Sequence, residues 1–126
     1  MPVSGLPPYD AQNIFARILR GEIPCKKIFE NDFAMAFHDI HPQTPFHVLV
    51  IPKGAYCSFA DFSATAGDAE IAGFFRAVGA IAKDLGLEAT GYRLLTNMGE
   101  DARQEVSHFH LHLFGGRPLG RMIPAG

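Results

Sequence analysis

Residues 106–114 read Val106-Ser107-His108-Phe109-His110-Leu111-His112-Leu113-Phe114, and this alternation of histidine with apolar residues is the pattern around which the rest of the chain is placed. In a β-strand, side chains at i, i+2 and i+4 leave from one face. The spacing predicts a strand with His108, His110 and His112 in a column on one side and Phe109, Leu111 and Leu113 on the other. The apolar side calls for a covering element. The polar side has no structural need for imidazoles, and three of the chain's six histidines fall within five residues, which points to chemistry.

The cover for the apolar side lies upstream. Ile71, Phe74, Phe75, Val78, Ile81, Ala82 and Leu85 recur at helical spacing and predict a long helix over 67–85. Thr65 followed by Asp68 resembles a capping box, and Gly86 falls where a terminating glycine belongs. Phe74 and Phe75 are adjacent and cannot both enter one helix-to-sheet seam, so a second apolar face is expected on this helix.

A shorter helix is predicted over 11–20 from Ile14, Phe15, Ile18 and Leu19, with Asn13 or Asp10 as its cap, Gly21 at its end and Pro24 blocking continuation. Strands are predicted over 27–30 and 33–40 about an Asn31-Asp32 turn, over 46–51 closed by Pro52, and over 92–97. The order is helix, three strands, long helix, two strands, without βαβ alternation. It predicts an α+β fold, an antiparallel five-stranded sheet carrying one long and one short helix. A length of 126 residues is that of one domain. Residues 1–12 are expected to be a flexible N-terminal segment and 115–126 an extended C-terminal tail, both rich in proline and glycine.

Composition narrows the function classes. Hydrophobic residues make up 48% and charged residues 19%, the balance of an ordinary globular protein. A net charge of −2, with no basic run longer than Lys26-Lys27, provides no surface for nucleic acid. No apolar stretch reaches a membrane span, and the N-terminus lacks the features of a signal peptide. Cys25 and Cys57 are neither spaced as a metal pair nor numerous enough for a disulfide framework, so a cytoplasmic location is expected.

Two chemistries suit the histidine column. His-x-His on a strand can offer two imidazoles to zinc or copper, with His38, Asp39, His41 or His47 completing the set. Alternatively, a neutral imidazole can attack phosphorus while a second group protonates the leaving group, for which a pKa near 6.5 is well suited.

The segment His108–Phe114 follows the pattern His-φ-His-φ-His-φ-φ, where φ is apolar, and so resembles the histidine-triad (HIT) family. The resemblance continues through residues 13–24, 36–40, 45–53 and 91–97, covers about residues 13–117, and is to the family's Hint branch. It implies a metal-independent purine nucleoside phosphoramidate hydrolase, without cofactor, that forms a nucleotidyl-histidine intermediate and works as a homodimer with the sheet extended across the interface. The partner it implies is a purine nucleoside monophosphate or its phosphoramidate. Two alternatives remain: a dinucleoside polyphosphate hydrolase, and a nucleotide-binding interaction module whose catalysis is incidental.

Carried over position by position, the resemblance makes His110 the nucleophile, His112 a phosphate contact and His108 an orienting residue. His47 would stand behind the nucleophile and hold its other ring nitrogen. Asp39 would accept from the ribose hydroxyls, and Phe15, Ile18, Ile23, Phe37 and Ile40 would form the base slot. Asn97 would present its amide to the phosphate, with Arg103, Gln104 and Glu105 passing close by. The chain departs from related eukaryotic sequences here, carrying Arg103-Gln104-Glu105 in place of Gly-Gln-Ser. An ionised carboxylate would repel a phosphate, so Glu105 is expected to turn away and leave its backbone N–H as donor. The tail carries no tryptophan. In the family that tail reaches toward the partner subunit's site.

Overall fold

A computed structural model describes residues 2–124, so Met1 and the last two residues of the expected tail lie outside the described residues. Asn13 starts the first helix, α1 (Ile14–Leu19), by accepting from the Ala16 amide, and Gly21 ends it at φ 79°. Strands β1 (Lys27–Glu30) and β2 (Ala34–His38) follow, then β3 (Phe46–Pro52). Between β3 and the long helix α3 (Asp68–Asp84) lies a further helix, α2 (Phe59–Thr65). Strands β4 (Tyr92–Leu95) and β5 (Leu111–Gly115) complete an antiparallel sheet ordered β1-β2-β3-β5-β4. No helix among the described residues is long and apolar enough to cross a membrane.

The α+β architecture and the five-stranded antiparallel sheet are as the pattern predicts, but the helix count is not. Thr65 ends α2 instead of capping the long helix, and its hydroxyl donates to the Asp61 carbonyl. The long helix starts at Gly67 without a side-chain cap. What holds α2 is Phe62, fully buried and stacked on Phe109 with 4.8 Å between ring centres.

The sheet's two faces are unlike. Ala34, Ala36, Val48, Val50, Leu111 and Leu113 face α2 and α3, where Phe62, Phe74, Val78, Ile81 and Phe109 close the main core. Phe74 is fully buried and Phe75 is 41% exposed, so the adjacent pair is split between seam and surface. The opposite face carries Met35, Phe37, Leu49 and Ile51, against which Phe15 and Ile18 of α1 pack. With only six residues, α1 covers part of that face and leaves the remainder open.

The histidine strand is shorter than predicted. Regular pairing begins at Leu111, opposite Val50, so His108 and His110 precede β5. The cause lies in the partner strand, which ends on Pro52, a residue without an N–H. The amide of Phe109 bonds to the Tyr56 carbonyl instead, and the His110 carbonyl accepts from the Thr96 hydroxyl. Alternation survives this, because Phe109, Leu111 and Leu113 all enter the main core.

The N-terminal segment is hydrogen-bonded to the rest of the domain. The Val3 amide donates to the Gln104 carbonyl, the Ser58 hydroxyl to the Gly5 carbonyl, and the Tyr9 hydroxyl lies 2.6 Å from His108 Nδ1. Gly5 adopts φ 73°, and a Cβ there would stand 2.5 Å from Gln104 Oε1, so the close approach requires glycine. A composition of Pro and Gly signals irregular backbone, and here irregular backbone is bound backbone.

Candidate active site

The open part of the sheet's second face is a cavity of about 760 Å³. His110 and His112 of the triad line it, joined by His47 of β3 and by Asp39 just beyond β2. Phe15, Ile18, Ile23, Phe37 and Ile40 form an apolar part of the wall. Asn97, Arg103 and Glu105 line it as well, and Pro124 of the tail contributes from this same chain. Arg93 of β4 pins the tail through the Gly120 and Arg121 carbonyls.

Two predicted site residues are elsewhere. Gln104 is 1% exposed and does not line the cavity. Its amide donates to the Cys57 and Val106 carbonyls and accepts from the Gly99 amide, so it braces the loop that carries Arg103 and Glu105. His108 is fully buried behind the cavity. Arg103 holds φ 61°, the left-handed region that an L side chain enters at a cost of about 1–2 kcal/mol. Glu105 is exposed at the wall, and its charge acts on His110 in the direction of raising that imidazole's pKa.

Hydrogen bonds determine the imidazole tautomers. His110 Nδ1 lies 2.7 Å from the His108 carbonyl. A carbonyl only accepts, so Nδ1 carries the proton and Nε2 has a bare lone pair. The position behind His110 is thus filled by a backbone carbonyl, where His47 was expected.

His47 supports the next histidine instead. Its Nδ1 accepts from the Gln43 amide at 3.1 Å, and its Nε2 lies 2.9 Å from His112 Nδ1. The register that sets Leu49 opposite His112 brings these rings together. His47 Nε2 therefore donates, and the proton of His112 sits on Nε2. One imidazole of the cavity is left with a free lone pair and the next with a free N–H, which is the pairing that attack at phosphorus and support of its oxygens require.

Burial keeps these rings neutral. It lowers His110 below the usual histidine range, opposed by the His108 carbonyl and by Asp39 and Glu105. It lowers His112 to about 4, helped by His110 and His47, and His108 to about 4 against the Pro52 carbonyl. His47 is lowered as well by burial, with Asp39 pulling the other way. Between pH 6.5 and 4 the unfolded chain takes up protons at positions 108 and 112 that the folded chain refuses. Stability from these sites is therefore full above about 6.5 and lost as pH falls toward 4. Thermal melts across that window should show a falling midpoint. A flat profile would contradict the neutral, buried imidazoles.

One carboxylate oxygen of Asp39 and one ring nitrogen each of His47 and His112 lie within 4.8 Å of one another and form a possible metal cluster. His47 Nε2 and His112 Nδ1 stand only 2.9 Å apart, whereas two imidazole ligands on one tetrahedral ion are roughly 3.3 Å apart, given bonds of ~2.0–2.1 Å. The donors are spaced as a hydrogen-bonded pair. Cys25 lines the cavity and Cys57 is buried away from it.

Comparison with known proteins gives a consistent picture. The family model described as HIT domain matches residues 20–119. A protein of Azospirillum brasilense named an uncharacterized 13.2 kDa HIT-like protein is 64% identical over 118 residues, 94% of this chain and 97% of that one. The purine nucleoside phosphoramidase of Escherichia coli (strain K12) is 40% identical over 112 residues, 89% of this chain and 93% of its own. Among solved structures, a HIT family hydrolase from Clostridium thermocellum superposes with TM-score 0.80 at 35% identity, covering 90% of this chain and 97% of that one.

Proposed function

The chain belongs to the HIT domain family, and from that membership and the imidazole geometry we propose that it is a metal-independent hydrolase of purine nucleoside phosphoramidates. The observation that carries the reading is the hydrogen bond from His110 Nδ1 to the His108 carbonyl, which leaves Nε2 of this cavity-lining residue unprotonated.

In the first step His110 Nε2 attacks phosphorus, a P–N bond to the imidazole forms, and the P–N bond to the leaving amine breaks. The amine departs with a proton taken from solvent, because neutral His112 keeps its one N–H for the phosphoryl oxygens. Water then attacks the nucleotidyl-histidine, frees the nucleoside monophosphate and restores the imidazole. His112 Nε2–H and the Asn97 amide support the phosphoryl oxygens during both steps. Asp39 accepts from the ribose hydroxyls. The base lies among Phe15, Ile18, Ile23, Phe37 and Ile40. The Arg103–Glu105 segment passes the phosphate and leaving-group end, with the Glu105 carboxylate turned away and its backbone N–H as donor.

The working unit in this reading is a homodimer with the sheet extended across the interface. The apolar groups left exposed support it: Phe75 on α3 at 41%, with Tyr92 at 38% and Leu94 at 42% on the edge strand β4.

The test compares adenosine 5′-phosphoramidate with a diadenosine polyphosphate under matched conditions, before and after chelator treatment. Preferred turnover of the phosphoramidate, unaffected by chelator, is expected. Preferred cleavage of the polyphosphate would move the chain to the neighbouring activity, and loss with chelator would restore the metal reading. Sedimentation of the same preparation should give a mass of two chains.

A further inference from the structure

His108 is fully buried outside the cavity, and the mechanism gives its side chain no contact with substrate. Both of its ring nitrogens are nevertheless engaged. Nε2 lies 3.0 Å from the Pro52 carbonyl and must donate to it. Nδ1 is then an acceptor, and the Tyr9 hydroxyl, 2.6 Å away, is its donor. The Tyr9 ring meets the imidazole edge-on, with 5.7 Å between centres. The carbonyl of this same residue accepts the His110 Nδ1 proton at 2.7 Å.

We propose that Tyr9 is a positioning residue for the reaction: its hydroxyl clamps the far end of the His108 ring, and through the His108 peptide it holds His110 with Nε2 bare. With Pro52 on one side and Tyr9 on the other, the ring has no free end, so the backbone that carries it is fixed too. The stretch that brings Tyr9 there is itself tied down. Ser58 holds the Gly5 carbonyl, and Val3 holds the Gln104 carbonyl beside the loop that lines the cavity. The N-terminal segment thus acts as a strap behind the site.

This inference rests on the reading of His110 as the nucleophile. The test is Tyr9→Phe in the full-length chain, which removes one hydroxyl and keeps the ring. Loss of one neutral hydrogen bond predicts a fall in kcat for adenosine 5′-phosphoramidate of about five- to tenfold with KM little changed, and a melting midpoint lower by a few degrees because the buried His108 Nδ1 loses its donor. A merely structural role predicts a different split: the lower midpoint, or a higher KM, with kcat preserved. Either that split or an unchanged kcat overturns the proposal. A second readout needs no turnover. In nitrogen-15-edited spectra the His110 Nδ1–H should exchange with water about five- to tenfold faster in Tyr9→Phe than in the parent. If the parent hydrolyses no phosphoramidate, the hydrolase reading fails, and the exchange comparison still decides whether Tyr9 holds His110. Equal exchange rates would then overturn it.

Discussion

His110→Ala is expected to lower kcat for adenosine 5′-phosphoramidate by about 10⁴-fold or more while AMP still binds. The size follows from the role. Removing an attacking atom removes a covalent route, whereas removing a supporting contact raises one barrier by the worth of that contact. Binding should survive because the remaining wall is built by other elements: Phe15 and Ile18 from α1, Phe37 from β2, His47 and Leu49 from β3, and His112 from β5. The substitution removes a ring packed edge-on against Phe15 at 4.9 Å, so a modest loss of stability accompanies it. AMP affinity by calorimetry and single-turnover rates should both be measured. Residual turnover above about one per cent of the parent would remove His110 from the nucleophile's position.

The second large effect is on folding. Phe62→Ala should destabilise the domain by about 3–5 kcal/mol, the usual cost of truncating a buried phenylalanine. Phe62 is 1% exposed and packs against three aromatic rings, Tyr56 at 5.1 Å, Phe74 at 5.3 Å and Phe109 at 4.8 Å, the last of which also meets Phe59. The hole cannot be filled easily, because α2 is a seven-residue helix whose other buried contacts are few. Phe109 sits between His108 and His110, so activity at moderate temperature should fall together with stability. Urea unfolding with unchanged m would measure the loss. A change under about 1 kcal/mol would mean that α2 is not anchored through this ring.

Those two residues also mark what was legible beforehand and what was not. The alternation from His108 to Phe114 sufficed to assign Phe109 and its successors to the core and His110 and His112 to the other face, because period-two geometry is local. The stripe from Ile71 to Leu85 was equally plain. Helix α2 escaped because Thr65 and Asp68 make a plausible cap and drew the boundary past it, although Phe59 and Phe62 at i and i+3 are the signal that marks it. The partner of His47 was misjudged for a different reason. Which of two imidazoles it meets depends on the register of β3 against β5, fixed by pairings more than sixty residues apart. Gln104 turned inward because two backbone groups of its own loop and the distant Cys57 carbonyl need it, and the contact to Cys57 is not visible in neighbouring residues. Tyr9 carries no local signal at all.

The strand order has a consequence in time. β5 lies between β3 and β4 in the sheet but is the last strand to be made. As the chain leaves the ribosome, β3, apolar from Val48 to Ile51, has one side unpaired until residue 111 emerges. Tyr9 waits longer, for a partner ninety-nine residues downstream. At about 5–20 residues per second this is roughly 5–20 s of exposure. Conditions that slow elongation near the C-terminus should therefore lower the yield of folded protein while leaving the stability of the finished molecule untouched.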